Sequence, residues 1–578
     1  MKKRSVIAAI VCLTMIITSI LLPGVRAKAY DPPVDTFKVG LRYGDNAVSG
    51  ANLENEVGSG FRFGYFDNSR NFVALGAETD LERISVVRDS NVFYSSDGSY
   101  YAGTGSTTVG CYHIMLNGSY SGYSEARNQA DYYDGGFVRY DGSGFRVLVG
   151  NYTSAGDASA AAASRGISGF SVDEGTTSTV AVVETGTSRI LFEFDGGSSK
   201  TLGVMPRSSG KAQTWFRGYT YYGGFQFQRI TGGSVTVVNV VDIEDYVKGV
   251  IPYEMSASWP HEALKVQACC ARTYAMCQYH DSKHTGFDIC NSTCCQVYYG
   301  TGSANDNSDS AVDETAGEYI TYSGKLCETY YSASNGGASE SSKNVWGGDY
   351  AYLQGVVDPY EKDIADFAYN YYWSMYYSNE SLSDRLADWG YISWGDSVTG
   401  LQCRFSDVGN VIGITVYYVT SSGTHRDLTI SGGSRVGSVL NTDSIHFTIN
   451  GEPRPVGEGS GDSSGGVYVN DGTALSGSLE DAYAVGDDGT YSIGSGTVWA
   501  LTGDGSVAEV TGGGSSGGGS GGGGGGPGEI HYGEYYIEGT GWGHNVGMSQ
   551  WGAYSQAKYY GRTYDQIIKF YYTGVTIG

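Results

Sequence analysis

The chain has 578 residues, enough for three to four domains at roughly 150 residues each. With 40% hydrophobic and 13% aromatic residues it can build packed cores, which excludes a chain disordered throughout. Thirty-six basic against 61 acidic side chains leave a formal charge of −25, which counts against a nucleic-acid partner because phosphate binding needs a basic face.

At the N-terminus Lys2, Lys3 and Arg4 precede an apolar run from Val6 to Leu22, and Ala27-Lys28-Ala29 supplies a small-x-small site. Residues 1–29 therefore read as a signal peptide or an uncleaved signal anchor, and the protein is expected to be exported, either secreted or membrane-anchored by this segment. Beyond Cys12 nine cysteines remain, and an odd count in an exported protein leaves a free thiol, an intermolecular bond or a metal ligand.

Residues 30–110 alternate as strands do, in FKVGLRYG, FRFGYF and NFVALG. Residues 111–185 contain two copies of one unit, CYHIMLNGSYSGYSEARNQA and FRVLVGNYTSAGDASAAAA. Each is a short apolar strand, a Gly-containing turn with Tyr120 or Tyr152, and an Ala-rich helix. The predicted βαβα pattern packs as a small sheet covered by two helices, the alternative being a generic domain with no ligand. This stretch resembles the sporulation-related repeat (SPOR) domain, which implies a module that binds bacterial cell-wall glycan.

Residues 186–450 resume strands in WFRGYTYYGGFQFQRI and SVTVVNVVDIEDYV. A helix follows, and a second strand region runs from VIGITVYYV to IHFTIN. Residues 451–529 carry GEGSGDSSGG and TGGGSSGGGSGGGGGGPG, tracts that behave as flexible coil, and read as an insertion around a small strand-rich unit. Residues 530–578 return to a strand, a Gly-rich loop and a helix. The expected fold class is α+β, strand-rich and multidomain, with mixed sheets and one long helix in the principal domain.

Within GVIPYEMSASWPHEALKVQACCARTYAMCQYH (249–280), Pro260 suits the first turn of the helix. Leu264, Ala268, Ala271 and Ala275 share a core-facing stripe. Lys265 and Arg272, seven residues apart, share an adjoining one and meet either a ligand or nearby acids such as Glu262. Glu254 sits among Ile251, Pro252, Tyr253 and Met255, neighbours that would desolvate it and raise its pKa as a general acid requires. A capping or salt-bridged role is the alternative. His284, Cys290, Cys294 and Cys295 lie within about 12 residues, a soft donor set that suits zinc, although adjacent Cys294 and Cys295 strain a single tetrahedral site. Disulfides and free thiols are the alternatives.

EDYVKGVIPYEM, EALKVQACCARTYA, FDICNSTCCQVYYG, SASNGGASESSKNVWGG and GTGWGHNVGMSQWGAYSQAK occur in the order found in stage II sporulation protein D and the amidase enhancers. The resemblance spans roughly 37–100, 186–450 and 535–578. It implies a cell-wall location and a peptidoglycan lytic transglycosylase that cuts denuded glycan strands in sporulation or wall remodelling, with no organic cofactor and with a structural zinc. The family's catalytic acid falls on Glu254 and its helix cations on Lys265 and Arg272, which would hold a muramic acid carboxylate. Ser334, Asn335, Gly336 and Gly337 would form a tight loop against the sugar, Trp346 a stacking surface, and His544 and Gln550 substrate contacts or braces for Glu254. The family more often has Ser at 335 and Gly at 545, where this chain has Asn335 and Asn545, and His where this chain has Cys294. Two other readings are a non-catalytic glycan-binding enhancer of a cell-wall amidase and a hydrolase pairing Glu254 with Glu244 or Asp245.

Overall fold

The computed structural model describes residues 30–197, 199–230, 233–454 and 527–578, with four short strands between 483 and 510. The signal segment 1–29 and most of the Gly/Ser-rich insertion lie outside the described residues. No helix among the described residues is long and apolar enough to cross a membrane. The fold is α+β with many sheets, and the chain divides into two compact units, Met1–Tyr319 with Gly578, and Ile320–Ile577. That division falls inside the stretch 186–450 taken above as one domain.

The first unit holds a seven-stranded sheet in the order Ile289–Cys290, Thr36–Arg42, Thr236–Asp242, Gly224–Gln228, Leu202–Pro206, Phe61–Phe66, Phe72–Thr79. In Thr236–Asp242 every residue but Asp242 is buried, and its valine-rich run is what a strand covered on both faces demands. Asn239 interrupts the run without leaving an unpaired group. Its amide donates to the Tyr222 and Gly224 carbonyls, and its oxygen accepts from the Tyr298 hydroxyl at 2.8 Å. The strand passes straight into the helix Ile243–Glu254, whose first N–H groups donate to the Asp242 carboxylate.

A ten-stranded sheet also belongs to this unit. Four of its strands, Phe170–Asp173, Tyr112–Leu116, Phe145–Tyr152 and Gly136–Tyr140 in spatial order, join the helices Tyr123–Ala130 and Ala155–Ser164 in a β-α-β-β-α-β unit. The predicted βαβα pattern is corrected here, because each repeat ends in a further strand. Those strands are only five and four residues long and follow Gly-rich turns, so their alternation is hard to read. Each helix buries two alanines on the sheet, Ala126 and Ala130 in one, Ala158 and Ala162 in the other. Gly136–Tyr140 then pairs in parallel with Ile190–Phe194, which pairs with Val180–Glu184. Residue 185, the predicted boundary, therefore lies in the turn of a hairpin.

The second unit is built on a sheet of Tyr372–Ser378, Glu534–Thr540 and Phe447–Ile449, and another of His425–Ser431, Val411–Val419, Ser397–Phe405 and Pro527–His531. Leu382 and Leu386 from one helix and Val436, Val439 and Leu440 from another fill the core with Leu401, Ile414, Phe447, Tyr535 and Ile537. Strands from both sides of residues 455–526 thus contribute to one core.

Candidate functional site

Glu254 is the last residue of the helix Ile243–Glu254. Pro252 in the final turn cannot donate, and the helix closes with the Met255 N–H on the Ile251 carbonyl at 2.8 Å. Pro260 then stands at the N-cap of the long helix His261–Asp281, one place before the predicted first turn. Glu254 is half-buried between the fully buried Ile251 and Met255. Its helix lies against Tyr298 so closely that a Cβ on Gly249 would come within 2.4 Å of that ring. Tyr298 is itself fixed by Asn239 and by contact with the buried Tyr246 ring, whose hydroxyl donates to Gln296.

The two helix cations are placed differently from the expectation. Arg272 is fully buried: its Nε sits 2.9 Å from Glu244 Oε1 and 3.1 Å from Oε2, and further donors reach the Glu318 and Val312 carbonyls. Lys265 is held by Glu262 at 3.0 Å and by Glu314 at 2.6 Å. The long helix is covered on nearly all sides, so the small residues around Arg272 make room for neighbouring chain and not for a ligand. Arg272 is thus corrected from a substrate contact to a buried tie between helices, and Lys265 is engaged by acids. Glu244 and Asp245, the candidate second carboxylates, are bound to Arg272 and to Lys211 respectively.

The open surface in this unit lies elsewhere. A cavity of about 320 Å³ is lined by Arg42, Tyr43, Phe216, Arg217, Tyr219, Asn291 and Tyr299, among others. Tyr219 and Tyr299 stack at 4.9 Å, and Tyr253, next to Glu254 in the chain, meets the Tyr299 ring edge-on at 5.4 Å. Among the described residues neither Arg42 nor Arg217 has a salt bridge, in a chain that carries an excess of acids. Burial and the neighbouring Arg42 charge lower the Arg217 pKa. Sequence reasoning missed these residues. The chain shows only scattered tyrosines and two arginines about 175 positions apart, which pairing within the unit brings together.

Beside this cavity, which Tyr43, Asn291 and Ser292 help to line, His284, Cys290, Cys294 and Cys295 place one donor atom each within 4.8 Å of one another. The edge strand Ile289–Cys290 pairs with Thr36–Arg42 and delivers Cys290, and His284 Nε2 lies 3.2 Å from Cys295 Sγ. A hydrogen bond from Cys295, together with Ser292 and Tyr43, lowers the Cys290 thiol pKa to about 3, the thiolate state that metals bind. Cys290, Cys294 and Cys295 carry no disulfide that would compete for this set. One imidazole and three thiols, with Cys290 and Cys295 buried and Cys294 exposed, fit a tetrahedral zinc, and the adjacency of Cys294 and Cys295 does not keep either from the cluster.

In the second unit the predicted Ser334-Asn335-Gly336-Gly337 loop is tight but turned inward. Ser334 Oγ and the Gly336 N–H both donate to Glu361 Oε2 at 2.7 Å, and the Asn335 N–H to Oε1 at 2.9 Å. Asn335 also donates its amide to Asp358 at 2.9 Å. Ser334 and Asn335 are buried, so their substrate-binding assignment is corrected to loop support. Gly337 remains half-buried at φ +120°, a backbone position that favours glycine. Burial and the adjacent Asp358 raise the Glu361 pKa to about 7. Asp358 and Glu361 had no predicted role, although the string DPYE, two acids closing an apolar stretch, was their signal.

His544 Nδ1 accepts from the Val546 N–H at 3.0 Å, and its ring meets Trp346 at 5.0 Å. Burial lowers its pKa to about 4, so it is neutral at pH 7. Asn545, at φ +60°, donates to the Asn335 and Ala338 carbonyls, which welds the two loops together. Gln550 is buried at the start of the helix Gln550–Tyr560. Trp346 is 42% exposed and lines a cavity of about 610 Å³ with Trp389, Lys343, Arg404 and Arg435.

Residues 231–322 match the family model described as Stage II sporulation protein, SpoIID. A 334-residue stretch, 57% of this chain and 40% of the relative, is 30% identical to the amidase enhancer of Bacillus subtilis. An uncharacterized protein of Brachyspira hyodysenteriae is 48% identical over 142 residues, 24% of this chain and 38% of that protein. Stage II sporulation protein D of Bacillus amyloliquefaciens is 28% identical over 140 residues, 22% of this chain and 41% of that protein. The chain spans about two fifths of the length of these relatives. Residues 231–322, the stretch that matches the stage II sporulation protein model, contain Glu254 and the cysteine cluster.

Proposed function

We propose that this is an exported, cell-wall-acting lytic transglycosylase that cleaves the glycan strands of peptidoglycan. The observation that carries the reading is Glu254, a half-buried acid whose neighbour Tyr253 meets edge-on the tyrosine wall of a cavity lined by two arginines that have no salt bridge among the described residues.

In this mechanism Glu254 gives its proton to the oxygen bridging N-acetylmuramic acid and N-acetylglucosamine, and the muramic acid C1 becomes oxocarbenium-like. The Glu254 carboxylate then removes the proton of the C6 hydroxyl as that oxygen bonds to C1, leaving a 1,6-anhydro end and the protonated acid. One carboxyl group serves both steps, where hydrolysis ordinarily needs two. The engagement of Glu244 and Asp245 by cations supports the single-acid reading. Arg42 and Arg217 take over the role first assigned to Lys265 and Arg272, that of holding the muramic acid carboxylate, while Tyr219 and Tyr299 stack on sugar faces.

A zinc ion held by His284, Cys290, Cys294 and Cys295 would brace the edge strand beside this cavity and supplies no chemistry to the cleavage. The β-α-β-β-α-β unit would act as a second glycan-binding module. A second reading, favoured by the longest of the matches described, is a non-catalytic enhancer of a cell-wall amidase. Denuded glycan incubated with the full-length protein separates the two: anhydro ends support the transglycosylase, and intact strands support the enhancer.

A further inference from the structure

A second cluster of metal-ligating side chains lies in the first unit, in a part of the chain that the reaction does not use. Asp89, just past the strand Arg83–Arg88, His113 on Tyr112–Leu116 and Glu193 on Ile190–Phe194 bring one donor atom each within 4.8 Å of one another. All three residues are buried, and the side chains of His113 and Glu193 are 1% and 0% exposed. His113 Nε2 and both carboxylate oxygens of Glu193 have no hydrogen-bond partner.

The geometry is too long for a hydrogen bond between His113 and Glu193 and right for a shared cation. His113 Nε2 and Glu193 Oε1 are 3.5 Å apart, beyond the usual reach of an N–H···O bond of about 3.2 Å. Two ligands bound to zinc at about 2.1 Å in tetrahedral array are separated by about 3.4 Å. His113 is oriented as a metal ligand is, with Nδ1–H donating to the Gly150 carbonyl at 2.7 Å and Nε2 left to face the carboxylates. Asp89 is likewise aimed by the Thr176 N–H, which donates to Oδ2 at 3.0 Å. Of the cations beside the cluster, Arg139 is already bound by both oxygens of Asp173, at 2.6 and 2.9 Å, and stands 3.6 Å from Glu193 Oε2, while Arg229 donates to backbone carbonyls that include that of Asp89. Glu193 thus has only long ion-pair contacts, to His113 and to an arginine already engaged by Asp173, and neither of its oxygens accepts a hydrogen bond, an arrangement that is costly in a buried site and that a shared cation would relieve.

We infer that Asp89, His113 and Glu193 form a structural site for a divalent transition ion, zinc by its mixed imidazole and carboxylate donors, that fastens the β-α-β-β-α-β unit to the remainder of its sheet. Its role is mechanical: Tyr112–Leu116 belongs to that unit, whereas Ile190–Phe194 and the turn after Arg83–Arg88 belong to the neighbouring strands.

The test is metal stoichiometry on the full-length chain, stripped with chelator and titrated with zinc and with cobalt. The expected result is an equivalent of zinc that survives Cys290→Ser/Cys294→Ser/Cys295→Ser and is lost in Glu193→Gln and in His113→Gln. Its cobalt form lacks the thiolate charge-transfer absorption that a cysteine site produces. Zinc-edge anomalous scattering from crystals of the wild-type protein gives the same answer without relying on a variant that folds poorly. A scattering peak between His113 and Glu193 supports the site. No peak there, or zinc lost entirely with the three cysteines, overturns it, whether or not the cysteine cluster itself binds metal.

Discussion

Two acid-bearing regions of this protein look alike in sequence and differ in structure. Around Glu254 an acid follows a proline-bearing turn, and around Glu361 the string DPYE places two acids beside another proline. Glu361 and Asp358 are fully enclosed, and their oxygens collect donors from Ser334, Asn335, Gly336 and Tyr571. Glu254 is half-exposed, and its neighbour Tyr253 meets a wall of tyrosines in a cavity lined by two arginines that have no salt bridge among the described residues. Carboxylates saturated with internal donors hold a loop in place. A partly exposed acid whose chain neighbour borders a cavity lined by such arginines is equipped to meet an anionic ligand from outside. The same contrast divides the arginines, since Arg272 is tied to Glu244 and buried while Arg42 and Arg217 face a cavity.

The sharpest way to break this comparison is to exchange the roles of the arginines. Arg272→Met strands Glu244 beside the long helix and is expected to cost about 3–5 kcal/mol in urea unfolding. Arg42→Gln is expected to stay within about 0.5 kcal/mol. Next in size is Gly249→Ala, whose methyl would press on the Tyr298 ring that seats the Glu254 helix. Overpacking of about 1–3 kcal/mol should appear in the same assay, with loss of glycan cleavage at temperatures where the variant remains folded. Arg42→Gln and Arg217→Gln should each weaken binding of denuded glycan about tenfold, some 1.4 kcal/mol, with stability unchanged, and reduced muramic acid lacking its carboxylate should show no such difference.

The smallest effect is a pH slope in the second unit. Glu361 is raised from 4.5 to about 7, so the folded state holds a proton there that the unfolded chain has already released. That stabilisation is complete below pH 4.5 and is lost as pH rises through 7. His544, lowered to about 4, acts oppositely and costs stability as pH falls from 6.5 toward 4. Urea midpoints should therefore fall between pH 6.5 and 8, and the fall should vanish in Glu361→Gln whatever that variant's absolute stability.

Much of the site was legible because its chemistry is local. Glu254 among apolar neighbours, the long helix and the four zinc-type donors all follow from short stretches of chain, and the structure brings His284, Cys290, Cys294 and Cys295 together. Arg272 was misread because helical periodicity places a side chain on a stripe but does not say what covers it. Here Glu244 and the backbone near Glu318 cover that stripe. Ser334 and Asn335 were misread for the same reason, since their partners Asp358 and Glu361 lie more than 20 residues further along. The Arg42, Arg217 and Tyr299 wall was invisible, because only sheet pairing brings those positions into one cavity. In the β-α-β-β-α-β unit the helices were readable from alanine-rich turns, whereas the strands after them were too short to show alternation.

The central claim is that Glu254 alone transfers the proton and then retrieves one. Mass spectrometry of denuded peptidoglycan strands, treated with the full-length wild type or with Glu254→Gln at matched folded concentration, tests it most directly. The account predicts 1,6-anhydromuramic ends from the wild type and none from the variant, a loss of at least about a thousandfold in rate. Reducing ends from the wild type, or anhydro ends made equally well by Glu254→Gln, would contradict it.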